Sequence, residues 1–266
     1  MLQVAIAGVA GRMGCTLVRY LGAQERVRIT AGSVRAGSAR VGEDIGAIAG
    51  IAALDIAACD DVEALFSEAQ AVIDFTTPDY TRVLATQAAR TKTPLVCATT
   101  GMTPEDHAHL AECATQVPVV WAANMSVGIN VMLWLAEQAA AMLDDAYDVE
   151  IVEVHHRQKR DAPSGTALAL GKAAARGRGV EFSEVACLSR EGMMPERPRG
   201  EIGFATMRGG QVVGDHQMIL AGAQDRLEIV HRSDSRDIYA EGALRAARWL
   251  QTQPAGLYGM AEVLGR

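Results

Sequence analysis

The first half of the chain alternates short runs of β-branched residues with longer segments rich in alanine and leucine. This alternation is typical of repeated βα units arranged around a parallel sheet. Thr77 and Thr103 mark two helix starts, because each precedes a proline and an acidic first turn. We predict helices between strands over residues 2–7, 27–33, 71–75, 94–98 and 117–122.

The alternation stops near the middle of the chain. Residues 127–144 are apolar at Val127, Leu135 and Leu143 among others, which predicts a largely buried helix leading out of the first unit. Residues 149–237 then mix apparent strands with loops that contain glycine and proline, and we predict a second domain of the α+β class. Residues 240–253 again have the pattern of an amphipathic helix, which could end the second domain or pack on the first.

Composition and charge narrow the class of protein. With 266 residues, 49% of them hydrophobic and 21% charged, the chain has the composition of a globular protein of one or two domains. The 32 acidic residues outnumber the 25 basic ones, and the net charge of −7 disfavours nucleic acid as a partner.

The cysteines and the N-terminal segment favour a cytoplasmic protein. The five cysteines include no C-x-x-C pair, which indicates reduced thiols. The N-terminal segment lacks the charged region of a signal peptide, and no run of about 18 apolar residues predicts a membrane span. We therefore expect neither a membrane nor a nucleic acid among the partners.

A glycine-rich segment, GVAGRMG at residues 8–14, follows the first predicted strand and precedes a predicted helix. Glycines in this position let the backbone approach a pyrophosphate, and the helix N-terminus offers free N–H groups. The spacing is G-x-x-G-x-x-G, with Ala10 where the commoner G-x-G-x-x-G fingerprint has its second glycine. The context predicts a dinucleotide site, and the alternative is a glycine turn that serves packing alone.

The end of the second predicted strand indicates which dinucleotide binds. Sites that prefer NAD have an acidic residue about 20 residues beyond the glycines, which binds the ribose 2′-hydroxyl. Here the strand ends in Arg35, and the nearest acids are Glu43 and Asp44. Because Arg35 and Arg12 could bind a 2′-phosphate, we predict NADPH in preference to NADH. The alternative is that Arg35 is an ordinary solvated surface residue.

The segment 153–166 carries the densest group of chemically active side chains. Adjacent histidines on a strand point to opposite faces, and no cysteine or acid stands at ligand spacing, so we predict no metal. A serine, a glycine and a threonine at a helix start, together with His156 and Lys159, favour binding of a small carboxylate. His155 and Lys159 are candidate proton donors. The alternative is that Ser164 only caps a helix and the histidines are surface residues.

The chain contains six longer motifs: GVAGRMG (8–14), VIDFTTPDYT (72–81), TTG (99–101), AANMSVGIN (122–130), EVHHRQKRDAPSGTAL (153–168) and LEIVHRSDSRDIYAEGALRAARWL (227–250). Together they resemble the bacterial dihydrodipicolinate reductase family, the 4-hydroxy-tetrahydrodipicolinate reductases of lysine and diaminopimelate biosynthesis. The resemblance implies a Rossmann-like α/β dinucleotide-binding domain over residues 1–126 and 238–266. It also implies an inserted α+β domain over 127–237 that binds substrate and builds a homotetramer.

The resemblance also implies roles for single residues in the reduction of a small cyclic dicarboxylate by a nicotinamide cofactor. His155 would give or take a proton and Lys159 would donate one. The substrate carboxylate would be bound by His156, Gly165 and Thr166. Cofactor contacts are implied at Gly8, Val9, Ala10, Gly11, Arg12, Met13, Arg35, Ala98, Thr99, Thr100, Ala122, Ala123, Asn124 and Met125.

Two other functions are compatible with the same sequence. One is a reductase or dehydrogenase for another small amino or keto acid that shares the first domain. The other is a non-catalytic dinucleotide sensor, although a sensor has no use for paired histidines and a lysine beside an anion-binding helix start.

Overall fold

The computed structural model describes all 266 residues, Met1–Arg266. It divides into unit 1, Met1–Val127 with Arg236–Arg266, and unit 2, Gly128–Ser235. The first elements are β1 (Leu2–Ala7), α1 (Arg12–Gly22), β2 (Val27–Ser33), α2 (Ile45–Ala49), β3 (Ala58–Cys59), α3 (Val62–Phe66), β4 (Ala71–Asp74), α4 (Pro78–Thr91), β5 (Leu95–Cys97), α5 (Pro104–Ala114) and β6 (Pro118–Trp121). The remaining elements are α6 (Val127–Leu143), β7 (Asp148–His155), α7 (Gly165–Arg178), α8 (Phe182–Val185), β8 (Ala186–Cys187), β9 (Ile202–Arg208), β10 (Gly214–Ala221), β11 (Arg226–Ser233), α9 (Asp237–Leu250), β12 (Gly256–Tyr258) and α10 (Met260–Val263).

Unit 1 is built on a parallel sheet of seven strands in the order β12-β6-β5-β4-β1-β2-β3. The chain runs outward from β1 on one side and from β4 on the other, so the direction switches between these two neighbours. Open sheets of this kind bind ligands at the carboxyl ends of the strands beside the switch. The sheet confirms the predicted Rossmann-like α/β fold and places the glycine-rich segment, which follows β1, at the switch.

All five strands predicted for unit 1 are confirmed. β1 and β2 have the predicted bounds. Each end of β4, β5 and β6 lies within one residue of the predicted position. The sequence did not predict β3 and β12, because two or three residues carry too little of a pattern.

Two predicted helix starts differ in their capping. The Thr103 hydroxyl accepts a hydrogen bond from the backbone N–H of Asp106, whose carboxylate accepts one from the N–H of Thr103 in return. Thr77 also precedes its helix as predicted, but its side chain makes no capping hydrogen bond. There the fixed φ of Pro78 and the bond from the Thr81 N–H to the Thr77 carbonyl begin the helix.

The sheet of unit 1 has an apolar core on each face. On one face, α1 and α9 pack against the sheet through residues such as Leu17, Leu244 and Ile73, all buried. On the other face, α4 and α5 pack against it through Leu84 and Leu110. Helix α9 therefore belongs to the core of unit 1 although it follows unit 2 in the chain.

Unit 2 is built on a mixed sheet of five strands in the order β11-β10-β7-β9-β8. The central strand β7 is antiparallel to β10 and parallel to β9. Residues of α6 and α7, such as Ala136 and Leu170, form a buried core with Ile151, Phe204 and Met218 of the sheet. The α+β class predicted for this part of the chain is confirmed. No helix in either unit combines the length and the apolar character needed to cross a membrane.

Gly242 tests the packing of α9 in unit 1. A Cβ at residue 242 would lie 1.7 Å from the carbonyl oxygen of Met125, so Gly242→Ala must displace backbone. We expect the free energy of unfolding to fall by about 1–3 kcal/mol, as in other overpacked cores. Urea denaturation followed by circular dichroism measures this change.

Gly22, at the end of α1, provides the matched control. A Cβ there would lie 3.8 Å from the nearest side-chain atom, an ordinary contact. Gly22→Ala should therefore leave stability unchanged or raise it by up to about 1 kcal/mol through helix propensity. Equal effects of the two substitutions would contradict the packing described for α9.

Candidate active site

The glycine-rich segment forms a tight loop between β1 and α1. Gly8 has a φ of +75°, a conformation that favours glycine, and the N–H of Gly11 donates to the Gly8 carbonyl at 3.0 Å. Gly14 lies so close to this turn that a Cβ would be 2.0 Å from the Gly8 oxygen. Helix α1 begins at Arg12 without a side-chain cap and without an acid in its first turn. Its N-terminal N–H groups are thus available to an anion.

The loop is held by residues at the ends of β2 and β4, the two strands that flank β1. The N–H of Gly8 donates to the Ser33 hydroxyl at 3.3 Å, and the N–H of Val9 donates to the Ser33 carbonyl at 2.8 Å. The Tyr80 hydroxyl also donates to the Ser33 hydroxyl at 3.2 Å. Thr76, which follows β4, lies so close that a Cβ on Gly8 would be 2.7 Å from its methyl group.

Asp74, at the end of β4, is buried and organises the next loop. Its carboxylate accepts hydrogen bonds from the hydroxyls of Thr76, Thr81 and Thr99 at 2.6, 2.5 and 3.2 Å. Burial raises the pKa of Asp74, although these hydrogen bonds oppose the rise. Thr99 is therefore an anchor of the loop after β5, and its carbonyl accepts from the Trp121 indole at 3.3 Å.

The predicted cofactor residues all lie in loops at the carboxyl ends of β1, β2, β5 and β6 or at the start of α1. They differ in exposure. The exposed ones are Ala10, Gly11, Arg12, Arg35, Thr100 and Ala123, and the half-buried ones are Gly8, Met13 and Asn124. The buried ones are Val9, Ala98, Thr99, Ala122 and Met125. Because the Val9 and Met125 side chains belong to the core, only their backbone could contact a cofactor.

The loop after β2 separates Arg35 from the acids nearest in sequence. Arg35 is exposed and forms no ion pair. The Asp44 carboxylate accepts hydrogen bonds from the N–H groups of Ala47, Leu54 and Ile56 and so holds the start of α2. Glu43 pairs with Arg40 at 3.3 Å. Both acids thus have structural partners.

These observations fit a dinucleotide. The open N-terminus of α1 and the close approach at Gly14 provide the cradle that a pyrophosphate requires.

In unit 2, the carboxylate of Glu153 is the centre of a buried polar network. Glu153 is 1% exposed, and its Oε2 lies 2.5 Å from Nδ1 of His155. Arg208 donates to both carboxylate oxygens, at 2.8 Å to Oε2 and 2.9 Å to Oε1. The N–H of Ser164 and the hydroxyl of Thr206 donate to Oε1 at 3.0 and 3.3 Å. Burial opposes ionisation, but the hydrogen bonds from His155 and Arg208 lower the pKa of Glu153 to about 2.

Strand register brings this network together. Glu153 and His155 are two positions apart on β7 and therefore lie on one face of the sheet. The parallel strand β9 pairs Thr206 with Glu153 and Arg208 with His155. The antiparallel strand β10 pairs His216 with Glu153 on the other side. The ends of three adjacent strands thus supply the network.

His216 contacts both His155 and the start of α7. The two imidazole rings meet edge to face with their centroids 5.1 Å apart. Burial first, and then the charge of His155, lowers the pKa of His216 to about 3, so the ring is neutral at physiological pH. Its Nε2 lies 3.2 Å from the Ser164 hydroxyl, which accepts from the N–H of Ala167 at 3.2 Å.

The start of α7 has the features of an anion site, with one change from the prediction. Ser164 is 1% exposed and its hydroxyl is used by the helix cap and by His216, so it is not free to bind a substrate. Gly165 is exposed, and a Cβ on it would meet nothing within 4 Å. Thr166 follows, half-buried, and the first turn of α7 contains no acid. A ligand can therefore approach the backbone here.

The loop between β7 and α7 holds Lys159. Its Nζ donates to both carboxylate oxygens of Asp161 at 2.9 Å, and this hydrogen bond lowers the pKa of Asp161. Asp161 therefore balances the charge of Lys159. His156 is half-buried, and its Nδ1 is buried without a protein partner.

No group of three or more His, Cys, Asp or Glu side chains in the 266 residues is arranged to hold a metal ion.

Several residues of these sites were not assigned roles from the sequence. In unit 2 they are Glu153, Asp161, Thr206, Arg208 and His216. The spacing of Glu153 and His155 on one strand could have paired them. The alternation of buried and half-buried residues in β10 could have placed His216 on the buried face. Arg208 had no such signal, because its place depends on pairing between strands far apart in sequence.

Comparisons with known proteins agree over nearly the whole chain. Residues 2–125 match the family described as "Dihydrodipicolinate reductase, N-terminus", and residues 128–264 match "Dihydrodipicolinate reductase, C-terminus". The 4-hydroxy-tetrahydrodipicolinate reductase of Anaeromyxobacter sp. (strain Fw109-5) is 47% identical over 265 residues, which are 100% of this chain and 98% of that protein. The protein of the same name from Thiobacillus denitrificans (strain ATCC 25259 / T1) is 47% identical over 264 residues, with 99% and 98% covered.

A solved structure agrees in fold. The dipicolinate-bound dihydrodipicolinate reductase from Paenisporosarcina sp. TG-14 superimposes with a TM-score of 0.78 at 23% identity, covering 98% of this chain and 99% of that one. The chain therefore belongs to the dihydrodipicolinate reductase family, the 4-hydroxy-tetrahydrodipicolinate reductases, which are NAD(P)H-dependent oxidoreductases.

Proposed function

We propose that this chain reduces 4-hydroxy-tetrahydrodipicolinate to tetrahydrodipicolinate in diaminopimelate and lysine biosynthesis, with NADPH as the preferred reductant. The substrate gains a hydride and a proton overall, and its 4-hydroxyl group leaves as water. The observation that carries the proposal is the buried pairing of Glu153 with His155, beside Lys159 and the open start of α7. A protein that only bound a dinucleotide would gain nothing from the cost of burying these groups.

Unit 2 would bind the dicarboxylate substrate. The backbone N–H groups of Gly165 and Thr166, at the positive end of the α7 dipole, would bind one carboxylate. His156 would add a further hydrogen bond, since its Nδ1 has no protein partner.

His155 and Lys159 would handle the proton. A reduction by hydride needs one proton in addition, and a positioned side chain lowers the barrier for this transfer. The Lys159 ammonium, held by Asp161, would donate this proton to the reduced substrate. His155 would give or take a proton through Nε2, because its Nδ1 is bound to Glu153.

Unit 1 would bind the reduced dinucleotide, which supplies the hydride. The loop from Gly8 to Met13 would bind the pyrophosphate, and the Ala98–Thr100 and Ala122–Met125 loops would contact the rest of the cofactor. Arg35 would bind the 2′-phosphate, and Arg12 would add positive charge. This preference for NADPH is supported by the exposure of Arg35 and by the structural partners of Glu43 and Asp44.

We further propose that the protein acts as a cytoplasmic homotetramer. All five cysteines are free thiols, which are stable in a reducing compartment. Met207 and Val230 lie on the sheet face of unit 2 that is opposite Phe204 and Met218, and they are 56% and 41% exposed. Apolar side chains exposed on one sheet face support contacts between subunits.

Replacement of Lys159 tests the proton donor. We expect Lys159→Met to lower kcat by about 10²–10⁴-fold with little change in NADPH affinity, because only proton transfer is lost. Loss of absorbance at the nicotinamide band, with freshly generated substrate, measures turnover. Arg157→Met removes an exposed cation from the same loop and is the control. Turnover within a few-fold of wild type in Lys159→Met, or no NADPH consumption by wild type, would overturn the proposal.

Replacement of Arg35 tests cofactor preference. Because a hydrogen bond to a charged group contributes about 1.5–3 kcal/mol, Arg35→Ala should weaken NADPH binding by roughly 10–100-fold. NADH lacks the 2′-phosphate, so its affinity should change little. Fluorescence titration measures both dissociation constants, and Arg40→Ala, from the same loop, should leave their ratio unchanged. An equal loss for both cofactors in Arg35→Ala would refute the assignment.

A further inference from the structure

The Glu153 carboxylate has no freedom to rotate in its site. Arg208 binds its two oxygens with two nitrogens, at 2.8 and 2.9 Å, in the fork geometry typical of strong arginine–carboxylate pairs. The N–H of Ser164 and the hydroxyl of Thr206 occupy further positions on Oε1. The one remaining contact, at 2.5 Å, is Oε2 with Nδ1 of His155. The carboxylate thus meets the imidazole in one defined orientation.

This contact determines where the histidine carries its proton. An ionised carboxylate only accepts hydrogen bonds, so the Nδ1 of His155 must be the donor. Neutral His155 then has its lone pair on Nε2, the nitrogen on the other side of the ring. A hydrogen bond at one ring nitrogen sets the chemistry of the other in this way.

The same carboxylate links the histidine to both neighbouring parts of the site. Its bond from the Ser164 N–H joins it to the residue that precedes α7. Arg208 also donates to the carbonyl of Asp161 at 2.7 Å, and Asp161 binds Lys159. The proton-carrying histidine, the lysine loop and the anion-binding helix start are therefore oriented by one buried ion pair.

We infer that Glu153, clamped by Arg208, is a positioning residue that holds His155 as the Nδ1–H tautomer and presents Nε2 for proton exchange. The expected effect on kcat rests on the proposed function. The tautomer of His155 does not, because it can be measured in the protein without substrate. The charged and titratable groups next to His155 are Glu153 on its own strand, Arg208 on β9 and His216 on β10. His216 in turn interacts with His231 on β11 and with Lys159 in the loop.

The tautomer of His155 in the wild-type chain is the first test. Two-dimensional NMR that correlates imidazole nitrogens with the carbon-bound ring protons, on ¹⁵N-histidine-labelled protein, distinguishes the two neutral tautomers. The His155→Asn spectrum assigns the signal. We expect a protonated Nδ1 and an unprotonated Nε2 at a pH where the ring is neutral. A neutral ring with its proton on Nε2 would overturn the inference without reference to any activity.

The second test compares two glutamates of the same strand. Like Glu153, Glu150 is bound by arginine: Arg190 lies at 2.8 Å and Arg197 at 3.0 Å from its carboxylate. Unlike Glu153, it contacts no histidine. Glu153→Gln and Glu150→Gln both remove an arginine-bound carboxylate from β7. Only Glu153→Gln also removes a carboxylate that contacts an imidazole. Circular dichroism establishes whether each variant is folded.

We expect Glu153→Gln to lower kcat by at least about tenfold, with less than a threefold change in KM for NADPH. In the NMR spectrum of Glu153→Gln, the proton of the neutral His155 ring should no longer be confined to Nδ1, because an amide can also donate to that nitrogen. Glu150→Gln should keep both the wild-type tautomer and kcat. A wild-type tautomer and kcat in Glu153→Gln, or an equal fall in kcat in Glu150→Gln, would overturn the inference.

Arg208→Lys extends the test if Glu153→Gln does not fold. It keeps the positive charge and loses the fork geometry, so we expect a fall in kcat that is smaller than in Glu153→Gln. Wild-type kinetics in Arg208→Lys would contradict a clamping role. If wild type does not turn over the substrate, the proposed function fails, while the NMR measurement still decides the inference.

Discussion

The ion pair between Glu153 and Arg208 is the interaction on which the unit 2 site depends. Burying a carboxylate costs several kcal/mol unless its hydrogen-bonding positions are filled. Here four residues donate to the carboxylate, and Arg208 does so twice. Because those donors come from β7, β9 and the residue before α7, the charge can be buried only when these elements are in register. The network thus ties the geometry of the site to the correct pairing of the sheet.

Unit 1 also contains a buried carboxylate, Asp74, whose hydrogen-bond partners differ in charge from those of Glu153. Asp74 accepts hydrogen bonds from threonine hydroxyls and from the N–H of Thr76, but it has no cationic partner. Burial therefore raises its pKa, whereas the hydrogen bonds of His155 and Arg208 lower that of Glu153. Asp74 connects the loops after β4 and β5 by hydrogen bonds to Thr76 and Thr99. Glu153 likewise connects separate segments, but it stays ionised and accepts a hydrogen bond from His155.

Local sequence patterns were sufficient for the elements that carry them. The βα alternation, the glycines after β1, and the proline and acids after Thr103 each lie within a short segment, and each predicted its local structure. The histidine–lysine segment also stood out by its density of functional groups. Prediction failed where a contact between distant segments decides the outcome. No role could be predicted for Arg208, because it reaches Glu153 from 55 residues away.

The site in unit 2 requires an ionised Glu153, and the lowered pKa of this carboxyl determines how its contribution to stability changes with pH. A folded-state pKa of about 2, against an ordinary value of 4.5, means that the charge stabilises the fold above pH 4.5. This contribution is lost as the pH falls from 4.5 toward 2. The most direct measurement is the ¹³C chemical shift of the Glu153 side-chain carboxyl between pH 7 and pH 2. We predict the shift of an ionised carboxylate until the pH approaches 2, and a titration midpoint near 4.5 would contradict the stabilisation of the Glu153 charge by His155 and Arg208.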